Sequence, residues 1–326
     1  MTLNPESRIS SRWRLGAGVA LPAALLTWAA LNPSRSATRD PDRFTVVATT
    51  GQVGDLARVI GGDHVDVVTL MGPGVDPHLF KASESNVIDL IDADLILYSG
   101  LHLEGNLSEV LEQASERIPT AAVTAGIPES DLIMPVDDSF YGNPDPHFWF
   151  DPTLWSMAAA EVADAFAAAD PDHAADYEAN AAAYLAEVAE LDAWAEEQFS
   201  AIPQQSRILV TAHDAFGYLG RRYGLEVEGL QGISTSSEAG IRDVQNIADI
   251  IAGNEIKAIF VESSVPRRTI EAVQVAAEDR GWDVAIGGEL YSDALGDAGT
   301  PEGSWLGMMR HNIETIVAGL TGREHE

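Results

Sequence analysis

The chain has 326 residues, 46% apolar content, no cysteine, and 51 acidic residues against 19 Lys and Arg, for a formal charge of −32. That length and apolar content allow one large or two medium α/β domains, and the lack of cysteine excludes disulfides, thiolate metal sites and cysteine nucleophiles. The acidic field disfavours nucleic acid and anionic membrane surfaces, raises the local concentration of cations, and suits a salty medium.

Residues 1–43 read as an export segment. Arg8, Arg12 and Arg14 precede the apolar run 15–31, and the small residues Ser34, Ser36 and Ala37 follow it. The run is long for a minimal signal core and short for a membrane span, and Pro22 interrupts it. A cleaved signal peptide is the reading, with a retained anchor as the alternative.

A β-α grammar follows. The spacing predicts strands over 44–50 and 65–70, with an amphipathic stretch through 55–62 between them. Ser83 then caps a helix over 83–93, and a strand follows over 94–100. Strands alternating with helices indicate a parallel sheet. The order restarts with strand 207–212, helix 214–224, strand 225–230, helix 237–254, strand 256–264, helix 268–281 and strand 282–288.

Between the two halves lies an Ala/Glu/Asp-rich stretch, 153–202, which Pro171 splits. From Asp172 to about Ile202 it holds no Gly, and its only Pro is absent from that span. Tyr177, Ala181, Tyr184, Leu185, Val188, Leu191 and Trp194 recur near helical spacing. Roughly 30 helical residues make a rod of about 45 Å, long enough to span two lobes. The organisation is therefore 1–43 leader or anchor, 44–170 N-terminal α/β lobe, 171–202 linking helix and 203–326 C-terminal α/β lobe. The fold class is α/β, with a parallel sheet flanked by helices in each lobe and a site in the cleft between them.

The chemistry concentrates in four segments. His78 follows Asp-Pro in a loop leaving a strand's carboxyl end, where α/β folds place ligand sites. His147 sits in Asp-Pro-His-Phe-Trp-Phe-Asp-Pro, walled by aromatics, with Asp145 or Asp151 placed to orient it. His213 ends a strand ahead of a helix start. Asp293 lies in a Gly-rich loop after the last strand, with Glu289 and Asp297 as rivals. Three imidazoles and a carboxylate suit a four-coordinate divalent metal. Glu262, at the end of another strand, reads as a structural partner or orienting group, with direct ligation as the alternative.

At these motifs the chain resembles the metal-ion-specific solute-binding proteins of ABC transporters, the TroA-like zinc and manganese receptors. The resemblance covers nearly all of 44–321, and its most specific blocks are 229–240, 259–264 and 287–299. It implies His78, His147, His213 and Asp293 as ligands, two from each lobe, around one Zn(II) or Mn(II) carried as cargo. It also implies a rigid linking helix and a metal buried at the lobe interface. The reading that follows is a non-enzymatic extracytoplasmic receptor, a monomer with a cognate permease in the membrane as partner and, from its acidic charge, no nucleic acid. The chain departs from some members in lacking a lipid-attachment cysteine and a His-rich loop within 128–144. Two other readings remain from the residues. One is a zinc-dependent hydrolase with Glu262 or Glu289 as base, though no His-Glu-x-x-His helix supports it. The other is a surface adhesin stabilised by its metal.

Overall fold

A computed structural model describes residues 43–135, 140 and 142–322. Except for Arg43, the expected export segment lies outside the described residues. Among those residues no helix is long and apolar enough to cross a membrane.

The N-terminal half runs β1 (Phe44–Ala48), α1 (Gly51–Gly61), β2 (Val65–Thr69), α2 (Glu84–Ile91), β3 (Leu95–Tyr98), α3 (Ser108–Ser115) and β4 (Thr120–Ala122). Its four strands are parallel in the order β2-β1-β3-β4. Two helices follow, α4 (Pro152–Ala169) and α5 (Ala174–Ser200). The C-terminal half runs β5 (Ile208–His213), α6 (Gly217–Tyr223), β6 (Glu226–Gln231), α7 (Ile241–Asn254), β7 (Ala258–Glu262), α8 (Arg268–Glu278), β8 (Ala285–Leu290) and α9 (Trp305–Thr321). Here β5 pairs with β6 and β7 with β8, both in parallel, and β5 lies beside β7. The second half thus repeats the strand order of the first.

The inner strands β1, β3, β5 and β7 are largely buried on both faces, as inner parallel strands are, and their side-chain alternation sorts residues into separate cores. Val46, Ala48, Leu95 and Leu97 of the N-terminal sheet share one cluster with Leu209 of β5 and Ala258 and Phe260 of β7. Val47 and Ile96 point instead into a cluster local to the first half, and Val210, Ala212, Ile259 and Val261 into one local to the second. One continuous core therefore joins the inner faces of both halves.

Helix α5 lies in that core. It buries Tyr177, Ala181, Tyr184, Val188, Leu191, Ala195 and Phe199, an i, i+3, i+4 stripe. Its N-terminal part meets α1 through Asn180 Nδ2, which donates to the Ile60 carbonyl at 2.9 Å. Its C-terminal part meets α6, where Tyr223 donates its hydroxyl to Asp192 at 2.9 Å and Arg222 pairs with the same carboxylate. Expected over 171–202, the helix has 27 residues, or about 40 Å of rod. Pro171–His173 form a 3-10 turn that delays its start. Trp155 of α4 stacks on Trp305 of α9 with centroids 5.1 Å apart, and its indole donates to Tyr184 of α5 at 2.9 Å.

Other boundaries shift for local reasons. Thr50, read as strand, caps α1 by accepting from the Val53 N–H at 3.3 Å. Gly240 begins the α7 helix by donating to Asp243, so residues 237–240 stay outside it. The last strand starts at Ala285, later than expected, because the Trp282 N–H is still tied to the Ala277 carbonyl at the end of α8, at 3.1 Å. The short α3 and β4, 8 and 3 residues long, carry no full periodic signal in the sequence.

Candidate metal centre

The tripeptide Asp-Pro-His occurs twice, at 76–78 and 145–147. Proline has no N–H, so the aspartate carboxylate reaches past it to the histidine backbone. Asp76 Oδ1 accepts from the His78 N–H at 2.8 Å, and Asp145 Oδ1 accepts from the His147 N–H at 2.9 Å. The two local turns use the same device to hold an imidazole away from the chain. His213 comes from the carboxyl end of β5, and Asp293 from the loop after β8.

The structure brings all four expected residues together. One donor atom from each of His78, His147, His213 and Asp293 lies within 4.8 Å of the others, and all four residues are buried. His147 Nε2 is 3.2 Å from Asp293 Oδ1, while His213 Nε2 and His78 Nε2 are 3.4 and 3.9 Å from Oδ2. The Nε2 atoms of His78 and His147 face each other at 3.4 Å.

Two acids fix which ring nitrogen points inward. The His147 Nδ1–H donates to Asp145 at 2.7 Å, and the His213 Nδ1–H donates to Glu262 Oε2 at 2.5 Å. Glu262 Oε1 also accepts from the His213 backbone N–H at 2.8 Å. In the neutral ring, with its one proton held on Nδ1, Nε2 keeps its lone pair for the centre. Glu262 is therefore an orienting group, and between Asp145 and Asp151 it is Asp145 that orients His147. Asp151 instead caps α4 and pairs with Arg221 at 3.5 Å. The rivals Glu289 and Asp297 are both exposed.

The electrostatics follow from burial and proximity. Burial alone would depress all three imidazoles. It wins at His78, which is lowered to about 3. At His147 it is outweighed by Asp145 and Asp293, which raise the ring to about 9. At His213 it is outweighed by Glu262 and Asp293, and the ring is held well above its ordinary value. Burial would raise the Asp293 carboxyl, but His213 and His147 hold it well below the usual carboxylate range.

Despite these short separations, His213 Nε2 and both Asp293 oxygens are buried without a hydrogen-bond partner. Each such atom costs about 1–3 kcal/mol. A divalent cation at the centre of the four donors would satisfy all of them, and three imidazoles with one carboxylate match its ligand chemistry.

Several residues tie the two halves together beside these donors. Thr235 donates to Asp76 Oδ2 at 2.5 Å, and Tyr218 donates to the Asp145 carbonyl at 2.8 Å. Gln52 and Trp149 donate to the Ser292 carbonyl at 3.3 and 3.2 Å. Asp76, Thr235 and Tyr218 are functional neighbours that the candidate donors alone do not reveal. The repeated Asp-Pro-His was a signal for Asp76, whereas Thr235 and Tyr218 are legible only in the tertiary structure. Another feature borders the cluster. Leu101 and His102 both adopt left-handed backbone, with φ of 52° and 67°. Such a conformation costs about 1–2 kcal/mol per residue.

Residues 46–319 match the family described as the periplasmic zinc-uptake complex component A, ZnuA. The manganese-binding lipoprotein MntA of Bacillus subtilis is 48% identical over 286 residues, which cover 87% of this chain and 92% of MntA. The zinc-binding protein TroA of Treponema pallidum is 45% identical over 275 residues, covering 84% of this chain and 88% of TroA. The solved structure of the periplasmic zinc-binding TroA of Treponema pallidum matches with a TM-score of 0.83 at 44% identity, covering 85% of this chain and 99% of that one.

Proposed function

Because this chain belongs to the ZnuA family of periplasmic zinc-uptake components, we propose that it captures one Zn(II) or Mn(II) as cargo and delivers it to an ABC-transporter permease. The receptor acts on the extracytoplasmic side of the membrane, as a monomer. His78, His147 and His213 ligate through Nε2, and Asp293 through its carboxylate. The observation that carries this reading is the convergence of unpartnered, buried donor atoms from His213 and Asp293 on two further imidazoles. Lobes 44–170 and 203–326, joined through 171–202, supply two ligands each.

Four protein donors fill a tetrahedral shell and leave no open position for a reacting water. Of the bases considered for a hydrolase, Glu262 has both oxygens engaged by His213 and Glu289 is exposed. Both observations favour a receptor over a hydrolase. An Asp and three neutral imidazoles form a softer set than a carboxylate-rich one, which suits zinc, and manganese fits where it is the more available ion.

The test is metal titration of the full chain alongside its His213→Ala variant, with metal analysis of protein taken from its own cells without chelator. One ion per chain, and an affinity loss of about 100-fold or more in the variant, are expected. Unchanged affinity and stoichiometry in the variant would remove His213 from the ligand set.

A further inference from the structure

Of the four clustered donors, His147, His213 and Asp293 have side chains with no solvent exposure, while His78 retains 2%. His78 also lines a cavity of about 580 Å³ shared with His102, Lys81, Asn106, Ser234 and Ser236. An ion arriving from this side meets His78 before the other three donors.

Among the residues lining that cavity, only His78 and His102 offer an imidazole. The two rings flank the same side chain. Phe140 stands edge-on to His78 with centroids 6.3 Å apart, and to His102 with centroids 6.0 Å apart. His102 is exposed, whereas His78 is buried. The remaining polar lining is neutral apart from Lys81, whose ammonium repels a bare cation. A borderline divalent ion would find imidazole nitrogen the best donor available there.

The turn that presents His102 is enforced from below. Gly100, Leu101 and His102 are successively left-handed. Strain of this kind persists only where the surroundings impose it, and it concentrates at functional positions. The buried Glu104 supplies the constraint. Its carboxylate accepts from the Ser99 N–H at 2.7 Å, the Gly100 N–H at 3.3 Å and the Thr49 hydroxyl at 2.6 Å. Gly105 leaves room for the ring, since a Cβ there would stand 3.0 Å from His102 Nε2.

We propose that His102 is a transient metal ligand at the mouth of the site, which takes a partly hydrated divalent cation in the cavity beside Phe140 and passes it to His78. Each step exchanges a bound water for an imidazole nitrogen, so dehydration proceeds in stages. The inference rests on the receptor reading above and adds to it a path and a residue outside the final ligand set. A group that lowers the barrier without contacting the bound ion accelerates loading and release equally, and leaves affinity unchanged.

The experiment is rapid mixing of the full chain with Zn(II), and of the loaded chain with a chelator, for wild type, His102→Gly and His102→Asn. Both substitutions tolerate left-handed backbone and so keep the turn, and neither supplies an imidazole. In both variants association and release are expected to slow together by about tenfold, with the equilibrium affinity preserved. Wild-type rates in both variants overturn the proposal. Weaker affinity with faster release also overturns it, since His102 would then be a resident ligand or a structural prop. A wild-type chain that takes up no Zn(II) overturns the receptor reading as well, whereas unaltered kinetics at wild-type affinity sinks this inference alone.

Discussion

Thr235 donates its hydroxyl to Asp76 Oδ2 at 2.5 Å, while the other oxygen of Asp76 accepts from the backbone of His78. A serine-rich loop of the C-terminal half thereby holds the turn that presents His78 from the N-terminal half. One carboxylate serves both the turn and the closure of the cleft.

Removing the hydroxyl with Thr235→Val should loosen His78 without touching the donor set. A hydrogen bond to a charged group contributes about 1.5–3 kcal/mol, so metal affinity should fall by roughly tenfold or more. The loss should appear mainly as faster release. Calorimetric titration with a chelator-release assay decides the matter, and wild-type release from Thr235→Val would show that Asp76 holds His78 unaided.

The orienting acids should matter nearly as much as a ligand. Glu262→Gln and Asp145→Asn keep the shape of the side chain and remove its charge. The amide can donate to Nδ1 and so turn the protonated nitrogen inward. Each substitution should weaken binding by about 10–100-fold. A titration giving affinity within twofold of wild type for both variants would mean that the imidazoles hold their tautomers without help.

The pH dependence differs from what unperturbed imidazoles imply. Ordinary values near 6.5 would place competition from three protons in mild acid. In the folded apo chain His147 is raised to about 9 and His213 well above its usual value, while His78 is lowered to about 3. Two rings thus carry a second proton at neutral pH, whereas His78 is a neutral imidazole. Loading should release about two protons, and apparent affinity should climb by about 100-fold per unit as pH rises from roughly 6.5 towards 9. The sign for apo stability is opposite. A raised folded value stabilises below the unfolded value, and that contribution is lost as pH rises through about 9 for His147. The thermal stabilisation by metal should therefore widen across this window. Binding enthalpies measured at neutral pH in buffers of different ionisation enthalpy give the proton count, and a count of zero would contradict the raised values.

Much of this site was legible in the sequence because each donor sits beside a local signal. His78 and His147 follow Asp-Pro turns, His213 closes an apolar run, and Asp293 lies in a Gly-rich loop. The fold class followed from alternating strand and helix patterns. What escaped the sequence depends on contacts distant along the chain. Thr235 lies among serines and reads as an ordinary loop residue, yet it meets a carboxylate 159 positions away. Tyr218 reads as one more apolar helix position until its hydroxyl is found on the Asp145 carbonyl. The left-handed pair Leu101 and His102 carries no glycine or asparagine to announce it, because the buried Glu104 imposes the turn.

Metal release should involve small local shifts rather than a wide opening of the cleft. Helix α5 runs 27 residues without Gly or Pro, and bending it would break backbone hydrogen bonds. The core adds a second restraint. Inner-face residues of strands from both halves share one cluster with α1, α4, α5 and α9, so rotating one half against the other would expose apolar surface along the interface. Leu191 belongs to that shared core with no exposure, and Leu191→Ala should cost about 2–5 kcal/mol in stability. The motion left available is in the loops carrying His78 and Asp293 and in the segment that follows His213 at the end of β5, beside the four clustered donors. X-ray scattering curves of the apo and metal-loaded chain should nearly superpose. A rotation of tens of degrees between the two states would show that α5 bends or that the shared core parts, and would overturn the rigid-helix account.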